Sequence, residues 1–331
     1  LDPATTELVI SVLDESSRTL GEYEVRLDRS FVLECTWLKA RYPGEYDSFG
    51  SEVAVSGQTL AISAHAEDGD GDPEDDDSLP AAGAVYVFVR EAGVWTQEAY
   101  LKAKTPVADA LFGAGLALSG DTLVVGAQRD HHFGIVTGDY VPECGAVYVF
   151  RRTGTTWDLE ARLEAPYPDT DDEFGCSVAI EGDTIVVGSR WESSDESSPA
   201  DDSLEKSGAA YVFERQGASW TWTDWLKADL FHASDLFGTS VAISGDRIVV
   251  GAPGEDSDGS DPTDTSLQNA GAAYVFRRAV QGWTQQARLK AEDPADWDSF
   301  GSCLDIDGET VVVAAYGDDL DRNSPTGDSM E

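Results

Sequence analysis

Residues 237–253 read FGTSVAISGDRIVVGAP; an acidic stretch to Ala270 follows, then GAAYVFRR at 271–278 and WTQQARLKA at 283–291. Each apolar run is four to seven residues long, rich in Val, Ile, Tyr and Phe, and bounded by Gly, Asp or Ser. Runs of that length and composition suit strands and are too short for helices. Four strands follow from this reading. Strand A starts at Phe-Gly, the tight turn Ser244-Gly245-Asp246 leads into strand B, strand C is the Tyr-Val-Phe run, and strand D begins at Trp and ends at Leu-Lys-Ala. A Gly-Asp turn supplies the positive φ that a two-residue hairpin needs.

The unit is copied along the chain. Phe-Gly opens at 49–50, 112–113, 174–175, 237–238 and 300–301, at spacings of 63, 62, 63 and 63 residues. A fixed period means that one supersecondary unit is stacked on copies of itself. Four antiparallel strands at this period describe the blade of a β-propeller, an all-β fold whose radial packing leaves only short edges. Blades are expected near 49–103, 112–165, 174–228, 237–291 and 300–316, within a single domain spanning 1–331.

Phe237, Gly238, Gly251, Ala252 and Pro253 together resemble the FG-GAP repeat of integrin α-subunit propellers and their bacterial relatives. The resemblance covers roughly 40 to 316. One copy keeps a full Gly-Ala-Pro; the others read Ala64-His65, Ala127-Gln128, Ser189-Arg190 and Ala315-Tyr316, a looser bacterial form. The family places calcium loops of the D-x-D-x-D-G type between strands A and B. Here those turns, such as Glu181-Gly182-Asp183, are too short to wrap an ion that takes six to eight oxygens.

The acid lies instead in the long B-to-C connections, HAEDGDGDPEDDDSLPAA (65–82), QRDHHFGIVTGDYVPEC (128–144), RWESSDESSPADDSLEKS (190–207) and PGEDSDGSDPTDTSLQNA (253–270). Strands alternate in direction, so these loops and the D-to-A loops are expected on one face. Asp68, Asp70 and Asp72 alternate with glycines, and Asp256, Asp258 and Asp261 surround Gly259. Alternating carboxylates in a Gly-containing loop can converge hard oxygens on Ca²⁺, and nitrogen and sulfur ligands are too few for zinc. The alternative is a set of solvated acidic loops. The loop at 190–207, with scattered Glu192, Asp195, Asp201 and Asp202, is read as solvated.

Aromatic residues divide in two. Tyr86, Phe88, Tyr148, Phe150, Tyr211, Phe213, Tyr274 and Phe276 on strand C, and Trp95, Trp157, Trp220 and Trp283 on strand D, repeat in every copy and read as blade packing. Trp191, Phe133, Tyr140, Phe231 and Trp297 do not repeat and fall in loops, where they can anchor a partner or stack on a sugar.

Sixty-three Asp and Glu against 22 Lys and Arg give a formal charge of -41. That excess argues against nucleic acid and anionic membrane surfaces as partners. No run of 18 apolar residues supplies a membrane span, and the chain opens at Leu1 without a signal peptide, as a mature or excised segment would. Cys35, Cys144, Cys176 and Cys303 follow no metal spacing; they are read as buried free thiols, with a Cys144–Cys176 bridge as the alternative.

Residues 21–40 align with strands C and D, so 1–40 is expected to close a five-bladed ring by pairing with the last blade. TELVISVLDESS (6–17) resembles a strand B, which leaves open a slice of a larger, seven-bladed ring. His131-His132 is the only histidine pair, and no G-x-S-x-G, H-E-x-x-H or phosphate loop occurs. The expected function is non-enzymatic: a secreted or cell-surface module, resembling an integrin α propeller, that binds an extracellular protein or carbohydrate with calcium. The alternatives are a structural propeller of a larger surface protein, a polysaccharide lyase or hydrolase, and a lectin.

Overall fold

The computed structural model describes residues 6–13, 19–27, 37–41, 44–69, 78–133, 140–195, 198–217, 219–259 and 264–318, with backbone alone for 6–13, 19–27 and Phe133. The chain divides into two compact units, Leu1–Lys39 and Ala40–Glu331. In the first, β1 (Thr6–Leu13) pairs antiparallel with β2 (Thr19–Leu27).

The second unit is the repeat. Its first blade is β3 (Phe49–Ser56), β4 (Thr59–Ala64), β5 (Ala84–Glu91) and β6 (Val94–Leu101). The second is β7 (Phe112–Ser119), β8 (Thr122–Ala127), β11 (Ala146–Thr153) and β12 (Thr156–Leu163), with the small pair β9 (His132–Phe133) and β10 (Tyr140–Val141) in its long loop. The third is β13 (Phe174–Glu181), β14 (Thr184–Ser189), β15 (Ala209–Gln216) and β16 (Ser219–Leu226). The fourth is β17 (Ser240–Ser244), β18 (Arg247–Ala252), β19 (Ala272–Arg278) and β20 (Trp283–Leu289), and the fifth supplies β21 (Phe300–Asp307) and β22 (Thr310–Ala315). Four antiparallel sheets follow the order A-B-C-D, and the last sheet holds A and B only. β1 with β2, and β21 with β22, are each sheets of two strands. Of the residues 21–40 expected to complete the last blade, 28–36 lie outside the described residues.

Strand alternation explains the packing between blades. Leu123, Val125, Tyr148 and Phe150 of the second blade face Ala61, Val85 and Val87 of the first, whereas Val124, Val147 and Val149 face Ile185, Val187, Tyr211 and Phe213 of the third. The same interleaving joins the third to the fourth and the fourth to the fifth. Successive side chains point to opposite faces of a strand, so B and C, buried on both, must be apolar throughout. Phe112, Phe174 and Phe237 are each buried against the aromatic pair of their own strand C: Phe174 lies 5.5 Å from Tyr211 and 6.1 Å from Phe213, edge-on. The repeating aromatics are thus structural.

Glycine sets the distance between blades. Phe112, Phe174, Phe237 and Phe300 each donate a backbone hydrogen bond to the blade before, at Ala82, Cys144, Ser207 and Ala270, over 3.0–3.1 Å. The next residue of that earlier blade is Gly83, Gly145, Gly208 or Gly271, at φ between 79° and 87°. A Cβ on Gly208 would lie 2.8 Å from the Phe237 carbonyl carbon and closer still to its oxygen. Gly126, Gly188 and Gly251, the Gly of Gly-Ala-Pro and its variants, are pressed in the same way against the carbonyls of Gly175, Gly238 and Gly301. The turn glycines, such as Gly182 at φ 58°, have open space around the missing Cβ.

The contrast gives a prediction. Gly182→Ala should cost roughly 1 kcal/mol, the left-handed penalty alone. Gly208→Ala should cost about 1–3 kcal/mol beyond that, because a clash with backbone is added. Urea unfolding of the two variants checks it, and equal losses would remove the steric role assigned to Gly208.

Candidate functional site

The D-to-A turns and the B-to-C loops share one face, because they hydrogen-bond to each other: Asp109 N to Pro80 O (2.8 Å), Ser234 N to Glu205 O (2.9 Å) and Trp297 N to Gln268 O (2.7 Å). Each turn before Phe-Gly contains two residues at positive φ, for example Trp297 and Ser299, or Tyr46 and Ser48. Between them stands an aspartate in four copies, Asp47, Asp172, Asp235 and Asp298, all buried. Its Oδ2 accepts the backbone N–H three residues earlier, from Asp169 to Asp172 at 2.8 Å and from Ala295 to Asp298 at 2.7 Å. This bond compensates for a backbone that non-glycine residues rarely adopt.

A second buried acid follows strand B in the first four blades, at Glu67, Asp130, Glu192 and Glu255. Each pairs with cations of its own strand D or just beyond it. Lys102 holds Glu67, Arg162 reaches Asp130 at 3.2 Å, Lys227 reaches Glu192 at 2.8 Å, and Arg288 and Lys290 reach Glu255 at 2.8 and 2.7 Å. The backbone carbonyls of the four acids also close the loop bases, each accepting from the glycine before strand C at 2.8–2.9 Å. Sequence reading placed Glu192 in a solvated loop; it is buried and paired. The signal was present as an acid 18 residues after every Phe, in register with the charged ends of strand D.

One residue further on, the side chain clamps the far arm of the loop. Asp68 Oδ1 accepts from Ala81 N (2.7 Å), His131 Nδ1 from Glu143 N (2.9 Å), Ser193 Oγ from Lys206 N (3.1 Å), and Asp256 Oδ1 from Asn269 N (2.8 Å). Two of the six candidate metal ligands, Asp68 and Asp256, thus each commit an oxygen to loop closure. Asp258 donates its N–H to Asp264 at 3.2 Å. Asp70, Asp72 and Asp261 lie outside the described residues. Among the described residues no three His, Cys, Asp or Glu are grouped to hold a metal ion.

The candidate aromatics separate by exposure. Trp191 is held between Lys206 and Arg190, whose cations lie 4.4 and 5.5 Å from its ring, and Arg190 itself pairs with buried Glu173. Trp297 is 60% and Tyr140 54% exposed, the latter edge-on to His131. The Phe133 side chain lies outside the description. Tyr46, equivalent to Trp297 in the first blade, is 84% exposed and was not singled out from sequence. Cys144, Cys176 and Cys303 are free thiols, so no Cys144–Cys176 bridge is formed, and burial pushes the Cys144 thiol up to about 12.

Burial has a measurable electrostatic consequence. The Asp172 carboxyl is pushed up to about 8, first by burial and then by the charges of Glu192, Asp169 and Asp202; Asp235 is pushed up to about 7, again mainly by burial. An ordinary aspartate titrates near about 3.9. At these two sites the native state therefore holds more protons than the unfolded chain between roughly pH 4 and 8, and their contribution to stability falls as pH rises across that window. Melting temperature measured in chelator should decline from pH 5 to pH 8 and flatten above, and Asp172→Asn should reduce the slope. A melting temperature rising over the same interval would refute protonated buried aspartates. Lys227→Met should cost about 3–5 kcal/mol by stranding Glu192, and adding Glu192→Gln should recover much of the loss.

Among the described residues no helix is long and apolar enough to cross a membrane. No curated protein matches the chain in a sequence search. The family model described as FG-GAP repeat matches residues 38–88, 95–150, 157–213, 220–276 and 283–328. The second to fourth of these windows each run from strand D of one blade through strand C of the next, so each carries one Phe-Gly and one glycine before strand C, a half of two successive junctions. The chain belongs to the FG-GAP repeat family, and its four-stranded antiparallel sheets are the blades of an FG-GAP β-propeller.

Proposed function

We propose that this chain is a non-enzymatic binding module, secreted or displayed at a cell surface, whose loop face takes an extracellular protein or carbohydrate and is ordered by calcium. The observation that carries the reading is a uniform frame bearing dissimilar loops. All four B-to-C loops are closed by the same backbone bond and the same side-chain clamp, yet their sequences share little beyond that. Binding surfaces are commonly built in this way, from variable loops on a rigid scaffold.

The family and the site both favour binding over turnover. FG-GAP propellers are typically non-enzymatic and typical of surface proteins. The four buried acids after strand B are each neutralised by a lysine or arginine, which suits structure better than general acid–base work. Calcium is supported by chemistry. Asp68, Asp70, Asp72, Asp256, Asp258 and Asp261 bring hard carboxylate oxygens close together along two loops of a chain of charge -41, and a divalent cation would relieve their repulsion. The integrin resemblance extends the proposal to cell or matrix adhesion.

Calorimetric titration with calcium, paired with melting curves in calcium and in chelator, tests the calcium component. Saturable heat and a raised melting temperature are expected, since a ligand of the folded state alone stabilises it, and Asp70→Asn with Asp258→Asn should abolish both. No heat and no shift would leave the acidic loops as solvated spacers. Binding of matrix proteins and glycans, measured in either buffer, tests the module itself.

A further inference from the structure

The fourth blade departs from the pattern of the other three at one place. Under the acid after strand B, the paired strand D positions hold Tyr100 and Lys102 in the first blade, Arg162 and Glu164 in the second, and Trp225 and Lys227 in the third. In the fourth they hold Arg288 and Lys290, two cations on the single carboxylate of Glu255. In a repeat protein, a residue set that all copies but one avoid is not required by blade packing.

This set lines a cleft of about 410 Å³ between the third and fourth blades, bounded by Asp229, Leu230, Tyr274, Gln285, Arg288 and Lys290. The volume falls in the range of small-molecule sites. Arg288 and Lys290 carry more N–H donors than the ones they give to Glu255 and Ser257. Arg288 Nε is buried without a hydrogen-bond partner. The Tyr148 hydroxyl donates to Asp130 in the second blade, but among the described residues Tyr274 makes no such bond. Gln285 accepts the Asp229 N–H across the cleft at 2.9 Å, which fixes its amide and leaves its NH₂ as a donor.

We infer that this cleft is a subsite for one unit of a neutral glycan. The wall offers donors from Arg288, Lys290 and Gln285 beside an acceptor carboxylate from Asp229, and a hydroxyl, which both donates and accepts, satisfies both kinds. Half-exposed Leu230 supplies apolar surface that the C–H face of a sugar can cover. Charge selects a neutral ligand. Glu255 already takes the two cations, Asp229 and the nearby Asp258 oppose an anion, and Arg288 with Lys290 oppose a cation. Donors and an acceptor carboxylate side by side on one wall suit an oxygen-rich neutral molecule best.

This inference rests on the binding-module reading, and its test separates the two. Lactose, cellobiose and mannobiose, with glucuronate and glucosamine as charged controls, would be titrated against the whole chain by saturation-transfer NMR and calorimetry, in calcium and in chelator. The variants are Arg288→Tyr, which builds the first blade's set, and Lys290→Glu, which builds the second blade's. Both sets exist in this fold, so folding should persist, and unchanged melting verifies it. At least one neutral sugar should bind, each variant should weaken it tenfold or more, and the charged controls should bind more weakly. Equal binding by both folded variants would overturn the cleft assignment while leaving a sugar-binding module. No neutral sugar bound, with a protein ligand found on the loop face, would overturn the cleft and keep the module.

Discussion

Every other feature of this propeller depends on the contact of backbone with backbone between neighbouring blades, where Phe-Gly of one repeat lies on the glycine before strand C of the repeat preceding it. The parallel bridges Gly145 to Phe174, Gly208 to Phe237 and Gly271 to Phe300 mark it. With no Cβ on the glycine side, the sheets approach until main-chain donors reach main-chain acceptors. The opposite face repeats the device. The turn glycines Gly120, Gly182 and Gly308 each donate to the serine before the preceding blade's turn, at 3.0–3.3 Å. Each blade is thus fastened to the next at both ends of its strands, and a rigid frame follows.

That rigidity allows buried charge. A chain with 41 more acidic than basic side chains would be expected to keep its acids in water, yet two acids per blade are drawn inside in most repeats. One holds its own turn through a backbone N–H; the other is met by lysine or arginine. Removing a partner from such a pair costs more than the pair contributes, so the arrangement serves register: it fixes where the loop leaves strand B and where it rejoins strand C.

The functional consequence is a division of labour within each loop. The third and fourth residues after strand B are constrained by the frame, and the sequence beyond them varies from loop to loop. The loops differ in charge and aromatic content; exposed Tyr140 stands in the second of them, and exposed Trp297 in the D-to-A turn before the fifth blade. The cleft beside Arg288 and Lys290 follows the same logic on strand D, where the frame needs one partner for Glu255 and the fourth blade supplies two.

The sequence by itself determined the repeat, the four strands per unit and the tight turns, because periodicity, apolar alternation and glycine placement are local properties of the chain. Five agreeing copies made that signal strong. It did not reveal that Glu192 is buried, that Asp68 and Asp256 act as loop clamps, or that Trp191 is held between two cations. Those facts depend on which side chain of strand D passes beneath an acid some 35 residues earlier, as Lys227 does for Glu192, and on which blade lies alongside. Tertiary structure alone decided them, since burial and pairing are set by neighbours in space, and in an acidic chain the charge pattern along the sequence looks the same whether a carboxylate is solvated or enclosed.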